Sequence, residues 1–219
     1  MIHINPLYQL IAQGEHQQQD FKFCINDSRK IARSLVAFAN TDGGRLLVGV
    51  KDNGKIAGVK SDEEFYMVEA AAHIYSSPQI NFEVVEWEAE GKMVLEIIVQ
   101  PSSLRPHYAE NDEKKWIAYI RKADENIRAN NVQLKAWKIE RSERGLMFTY
   151  DEPRRQLVNY LQHNEKIILT RFTKIARISR FLAETILAEF LSMGCIIIEP
   201  ECKPVLYSLN NRFNVETLG

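Results

Sequence analysis

The sequence has little cysteine and no long hydrophobic segment. Its three cysteines, Cys24, Cys195 and Cys202, are odd in number and contain no CxxC pair, which predicts reduced packing residues without a disulfide framework. No apolar run approaches the ~18 residues that a membrane-spanning helix needs. The start, MIHINPLYQL, lacks the basic end and apolar stretch of a signal peptide. We therefore expect a cytoplasmic protein with no membrane partner.

The sequence also lacks a charge excess of either sign. It carries 28 Lys and Arg against 29 Asp and Glu, for a net charge of −1. Dedicated nucleic-acid binders usually carry an obvious basic excess, so any nucleic-acid surface must be a local patch. The chain contains neither GxxxxGK[ST] nor a GxGxxG that opens a helix, which argues against an ATP site. No cofactor is expected from these patterns.

The stretch Val36–Val59, VAFANTDGGRLLVGVKDNGKIAGV, contains the clearest structural signals. Apolar residues at helical spacing behind Asp27 predict a helix that ends near Asn40. Gly43 and Gly44 permit a tight reversal and a close approach of other groups. Leu46 to Val50 predicts a strand buried on both faces, and Asn53-Gly54 is typical of a two-residue type I′ hairpin. The order is helix, glycine turn, strand and hairpin.

This motif closely resembles the Schlafen AlbA-like domain family. The likeness extends upstream to Glu15 and Asp20-Phe21-Lys22, and downstream to the segments Arg105–Tyr108 and Tyr119–Lys122, so it covers roughly residues 10 to 130. It implies an α+β domain with a mixed β-sheet and packed helices, to which we assign residues 1–145. Many bacterial members are described as nucleic-acid-binding or transcription-regulator-like proteins, and some are labelled ATP-binding or helicase-related. Some animal Schlafens are endoribonucleases that use three acidic residues.

Three acidic residues correspond to that nuclease site. Glu15 and Asp20 match the upstream acidic element, in which Asp20 replaces a glutamate, and Asp52 is the best third acid. At the family's Val-Asp-Asp stretch this chain reads Val50-Lys51-Asp52. Carboxylates so arranged would bind Mg²⁺ or Mn²⁺, which prefer oxygen ligands and activate water for phosphodiester cleavage. The competing interpretation is that all three are solvated turn and strand residues.

Basic residues near the same core elements are candidates for phosphate contacts, because Lys and Arg neutralise phosphates without reading sequence. The candidates in the first domain are Lys22, Arg29, Arg33, Arg45 and Lys51, with Arg121 beside Tyr119 on a later strand. Arg121 and Tyr119 suit phosphate contact and base stacking, although cross-strand packing explains them equally well. An ordinary solvated face of mixed charge is the alternative for the whole set.

The C-terminal segment predicts three helices followed by two strands, which is the order of a winged helix-turn-helix domain over residues 153–210. A basic run on the second helix and the following turn would contact a DNA backbone: Arg171, Lys174, Arg177 and Arg180. The third helix carries Glu184 and Glu189, whose carboxylates we expect to repel phosphates. The alternative is that this segment forms a dimer interface or packs on the first domain.

These observations lead to one functional hypothesis and two alternatives. The leading hypothesis is a nucleic-acid-binding, transcription-regulator-like protein that contacts DNA rather than RNA. The first alternative is a metal-dependent endoribonuclease that uses Glu15, Asp20 and Asp52. The second is an interaction or dimerisation module without nucleic-acid activity.

Overall fold

A computed structural model describes residues 5–143 and 145–213. The chain divides into two compact units, Met1–Arg128 and Ala129–Gly219. The helices are α1 (Pro6–Ala12), α2 (Ser28–Asn40), α3 (Glu63–His73), α4 (Asn131–Glu140), α5 (Glu152–His163), α6 (Leu169–Ala176) and α7 (Arg180–Ser192). The strands are β1 (Gln19–Lys22), β2 (Gly44–Val48), β3 (Ser76–Ser77), β4 (Glu83–Ala89), β5 (Lys92–Val99), β6 (Tyr108–Glu110), β7 (Trp116–Ile117), β8 (Tyr119–Lys122), β9 (Glu125–Arg128), β10 (Ile167–Ile168), β11 (Ile196–Glu199) and β12 (Leu206–Leu209).

The first unit is built on a mixed sheet, as the α+β prediction required. Its strand order is β1-β2-β5-β4, in which β1 and β2 run parallel and the other neighbours are antiparallel. Successive residues of β2 face opposite sides of the sheet. Leu46 and Val48 pack in the core that includes α2 and α3, whereas Leu47 packs in a smaller core with Leu7 of α1 and Phe21 of β1. Both faces of β2 are therefore covered.

The glycine turn between α2 and β2 is required by close packing. Gly43 has a φ of 71°, and a Cβ there would lie 2.8 Å from the Val99 carbonyl oxygen and from a Pro101 ring carbon. A Cβ on Gly44 would lie 2.5 Å from the Phe38 ring. Side chains at either position would clash, so glycine lets the turn press against β5 and α2.

The hairpin after β2 differs from the predicted type I′ turn. Lys51 and Lys55 close a loop of Asp52, Asn53 and Gly54, in which only Gly54 has a positive φ. A type I′ turn needs positive φ at both central residues, whereas this geometry matches a three-residue loop with glycine at the left-handed position. The returning segment forms only an isolated bridge between Val50 and Ile56.

The second unit contains α4 to α7 and a three-stranded antiparallel sheet of order β10-β12-β11. Its core joins Leu157 of α5, Phe172 of α6, Ile186 of α7 and Tyr207 of β12. The sequence-based boundary at residue 145 placed α4 with the first domain. In the structure α4 packs against α7, because Val132 and Ala136 lie in the core of the second unit.

Among the helices in residues 5–143 and 145–213, none is long and apolar enough to cross a membrane.

Candidate nucleic-acid interface

Helix α2 is fixed from both ends. Asp27 caps its N-terminus by accepting a hydrogen bond from the Arg29 backbone N–H (2.9 Å). At the C-terminal end the buried Asn40 donates to the backbone oxygens of His107 (2.9 Å) and Tyr119 (2.8 Å), and accepts from the His107 N–H (2.7 Å). These bonds tie the helix to two distant segments, so its outer side chains project from a rigid support.

A buried polar network lies under α2, between β1 and β8. Ser34 of α2 donates to Asp20 (3.1 Å), and the guanidinium of Arg121 lies 3.5 Å from the other oxygen of Asp20. Arg121 also donates to the backbone oxygen of Gln19 (3.1 Å) and to Asn126 (3.1 Å). Its side chain is only 1% exposed. The prediction that Arg121 contacts nucleic acid is therefore corrected: burial leaves it no access to a ligand, and it supports α2 instead.

The structure brings together two of the three predicted acids. Glu15 and Asp20 share a hydrogen bond, and the Phe21 N–H donates to Glu15 (2.9 Å). Burial and the hydrogen bond to Asp20 raise the pKa of Glu15. Burial opposes ionisation of Asp20, but the hydrogen bond from Glu15 and the charges of Lys22 and Arg121 lower its pKa. When the pair holds a single proton, the opposite shifts place that proton on Glu15 and the negative charge on Asp20.

Asp52 does not join this pair. It lies in the hairpin loop beyond the end of β2, whereas Asp20 pairs with Leu46 two residues before that end. Within the described parts of the chain, no group of three His, Cys, Asp or Glu residues is placed to hold a metal ion. The lone carboxylate of Asp20 is already engaged by Lys22 (2.9 Å), Ser34 and Arg121.

Two arginines lie one helical turn apart on the outer side of α2. The guanidinium of Arg29 packs over the Tyr75 ring (4.5 Å), and its Nε lies 3.9 Å from Glu110. Arg33 lies 3.9 Å from Asp112. These separations exceed hydrogen-bonding distance. In the described residues the Nε atoms of both arginines are buried and lack a hydrogen-bond acceptor. Both side chains remain about one-third exposed.

The other predicted cations of the first unit do not all share a surface. Lys22 faces α2, because its ammonium contacts Asp20, which contacts Ser34. Arg45 pairs with Gln19 in the parallel ladder and binds Glu96 (3.0 Å) on the opposite, α1 side of the sheet. Arg45 is therefore separated from the α2 arginines by the sheet. Lys51 is exposed at the start of the hairpin.

Sequence reasoning missed an aromatic residue beside Lys51. Phe23 follows β1 directly and is 44% exposed. The ammonium of Lys51 lies 5.0 Å from its ring centroid, and that of Lys60 lies 5.9 Å away. Strand alternation would place Phe23 on the same face as Phe21, but β1 ends at Lys22, so the alternation no longer applies. No pattern around Lys60 indicates this contact.

In the second unit the predicted cations lie on α6 and the following turn. Arg171, Lys174 and Arg177 are exposed, and the Arg171 guanidinium lies 5.9 Å from the Tyr160 ring centroid. Arg180 instead donates to Glu184 (3.0 Å). Burial alone would raise the pKa of Glu184, but hydrogen bonds from Arg180 and Asn131 and the charge of Lys135 lower it.

The expected repulsion between α7 and phosphates is not supported by the side-chain positions. The Glu189 carboxylate is nearly buried and accepts two hydrogen bonds from Arg154 of α5 (2.9 and 2.7 Å). Glu184 is equally enclosed. Lys135 of α4 lies over the Phe181 ring and donates to the Thr185 hydroxyl (3.2 Å). Helix α4 therefore covers the side of α7 that carries Glu184 and Thr185.

Comparisons with solved structures found partial likenesses to this chain. Among solved structures, the DIP2311 protein from Corynebacterium diphtheriae is 21% identical, covering 56% of this chain and 24% of its own, with a TM-score of 0.43. The N-terminal domain of a RecG-related protein from Nitrosomonas europaea is 20% identical, covering 49% of this chain and 80% of its own, with a TM-score of 0.39. The chain thus spans about a quarter of DIP2311.

No curated protein matches the chain. The family model described as Schlafen, AlbA_2 matches residues 15–130, which is more than half of the sequence and includes Glu15, the glycine turn and the β8–β9 hairpin. The chain belongs to the Schlafen AlbA_2 family.

Proposed function

We propose that this protein binds nucleic acid by contacting its sugar–phosphate backbone with the outer side of α2. The observation that carries the proposal is the state of Arg29 and Arg33. Each guanidinium is held in place by neighbouring groups, but its nearest carboxylate lies 3.9 Å away and its buried Nε has no hydrogen-bond acceptor within the described residues. Each side chain is about one-third exposed, and its exposed part can donate charge-assisted hydrogen bonds to a phosphate, which are strong and frequently bidentate for arginine.

The positions of two lysines support this proposal, although the chain as a whole carries almost no net charge. Lys22 lies on the α2 side of β1, and Lys51 has no carboxylate partner among the residues that the structure describes. Arg45 and Arg121 are not included, because one lies across the sheet and the other is buried. Phosphate contacts fix position without reading sequence, so the expected binding is largely sequence-independent.

The second unit supports an auxiliary role. The order α5, β10, α6, α7 and the β11–β12 hairpin is typical of a winged helix, and this topology supports our proposal that the unit is a winged helix. Because α4 covers α7, the exposed Arg171, Lys174 and Arg177 offer backbone contacts in place of base readout. This arrangement favours a backbone-binding protein over a base-reading transcription regulator.

The test is fluorescence anisotropy with labelled DNA and RNA across a salt series. We expect the double variant Arg29→Gln/Arg33→Gln to bind at least about tenfold more weakly and to reduce the slope of log K against log salt by about 2, since two phosphate contacts are lost. The matched control, Arg128→Gln/Arg141→Gln, makes the same charge change elsewhere and should retain most of the affinity. Equal losses in both double variants would reject the α2 interface.

The same samples separate binding from cleavage. Wild-type protein incubated with Mn²⁺ and structured RNA should leave the RNA intact, because Glu15 and Asp20 stand without a third acid in the described residues. Metal-dependent cleavage that disappears in the Asp20→Asn variant would replace the binding proposal with the nuclease alternative.

A further inference from the structure

An exposed aromatic ring with two lysines lies at the end of β1, outside the arginine pair on α2. We call Phe23, Lys51 and Lys60 the Phe23 cluster. Three separate segments build it: Phe23 follows β1, Lys51 begins the hairpin after β2, and Lys60 precedes α3. The two ammonium groups lie 5.0 and 5.9 Å from the ring centroid.

The Phe23 cluster has an exposed ring and two ammonium groups that are not needed for folding. Phe21, two residues earlier, is 1% exposed and fills the core beside Leu47, whereas 44% of Phe23 remains in contact with solvent. Across the described residues neither the Lys51 nor the Lys60 ammonium group pairs with a carboxylate, although the Lys60 backbone N–H donates to Glu64 (3.2 Å). The ring is therefore accompanied by two charges that are available to an anion.

We propose that Phe23 stacks on an unpaired nucleobase while Lys51 and Lys60 hold the adjacent phosphates, which makes single-stranded nucleic acid the preferred ligand. This inference rests on the proposed nucleic-acid function and names its substrate class. Aromatic side chains stack on bases whose faces are open, whereas neighbouring base pairs cover those faces in a duplex. The cation–π contacts keep both ammonium groups beside the ring before the ligand arrives.

The experiment compares two ligands with the same number of phosphates. One is a short labelled oligothymidine, and the other is an abasic oligonucleotide of equal length; a blunt duplex is the third probe. Wild-type protein should bind oligothymidine about tenfold more tightly than the abasic strand, as expected for stacking on one base. Phe23→Ala should reduce that ratio to near one and leave abasic binding unchanged. Phe23→Trp should retain the ratio.

The matched control is Tyr66→Ala, which removes another exposed aromatic, on α3, and should leave the ratio unchanged. Thermal unfolding of each variant checks that the fold is retained. An equal loss of affinity for both single strands in Phe23→Ala, or no loss at all, would overturn the stacking role and leave the α2 phosphate contacts standing. If the wild-type protein binds none of the three probes, both proposals fail.

Discussion

Helices α2 and α7 each have 13 residues and each lies at the centre of its own unit, but they use charge in opposite ways. Helix α2 contributes arginines, and the acid it contacts through Ser34 comes from β1. Helix α7 contributes the acids Glu184 and Glu189, which bind cations from α4 and α5. The first arrangement leaves the Nε atoms of Arg29 and Arg33 without a hydrogen-bond acceptor in the described residues, whereas the second pairs Arg154 and Arg180 with carboxylates.

This difference locates the proposed binding surface. Both helices are largely buried, α2 continuously from Ser34 to Asn40 and α7 almost continuously from Ala183 to Phe190. They differ in the partners of the arginines near their N-termini: Arg29 and Arg33 lie 3.9 Å from their nearest carboxylates, whereas Arg180 donates to Glu184 at 3.0 Å. A helix can contact a ligand only with a face that its own fold leaves uncovered.

The largest expected effect concerns the support under α2. Arg121→Met should lower the free energy of unfolding by about 3–5 kcal/mol, because it removes one partner of a buried ion pair and leaves buried acceptors unsatisfied. Urea denaturation measures this loss. The control, Lys115→Met, breaks an exposed pair with Glu113 and should have no measurable effect. A change as small as the control's would mean that Arg121 does not support α2.

An intermediate effect on stability is expected from the proton that Glu15 and Asp20 share. The raised pKa of Glu15 means that its stabilising contribution is present below the ordinary glutamate pKa and is lost as pH rises through the raised value. Asp20 behaves oppositely: its contribution is present above the ordinary aspartate pKa and is lost as pH falls through its lowered value.

Glu15→Gln should therefore stabilise the protein by about 1 kcal/mol near neutral pH, because the amide can donate to Asp20 without titrating and still accept from the Phe21 N–H. The advantage should disappear in acid, where wild-type Glu15 is protonated. Urea denaturation between pH 4 and pH 8 measures both outcomes. A destabilised variant throughout this range would contradict the proton-sharing arrangement.

The smallest expected effect compares the two helices directly. Arg33→Gln and Arg180→Gln each remove one arginine, but only the first should weaken nucleic-acid binding by several-fold. The exposed Arg180 already donates to the Glu184 carboxylate, so its replacement should change affinity by less than about twofold. Anisotropy with the same oligonucleotide gives both values. A larger loss for Arg180→Gln would show that α7 contacts the ligand despite α4.

Much of the fold could be predicted from local signals. The Asp27 cap and the apolar spacing located α2, and the apolar segment after the glycine turn located β2. The hairpin loop was predicted less well, because Asn53-Gly54 is compatible with more than one loop length and the register of Lys51 and Lys55 decides between them.

The amino-acid sequence by itself determined the family, the α+β class and which residue types were available for phosphate contact. Tertiary structure alone decided how those residues are used: Arg121 is buried, Arg45 lies across the sheet, and Asp52 is separated from Glu15 and Asp20. It also placed Lys60 beside Phe23 and α4 over α7. Local patterns specify elements, because neighbouring residues interact within them. The exposure and partners of a side chain depend on segments distant in the chain.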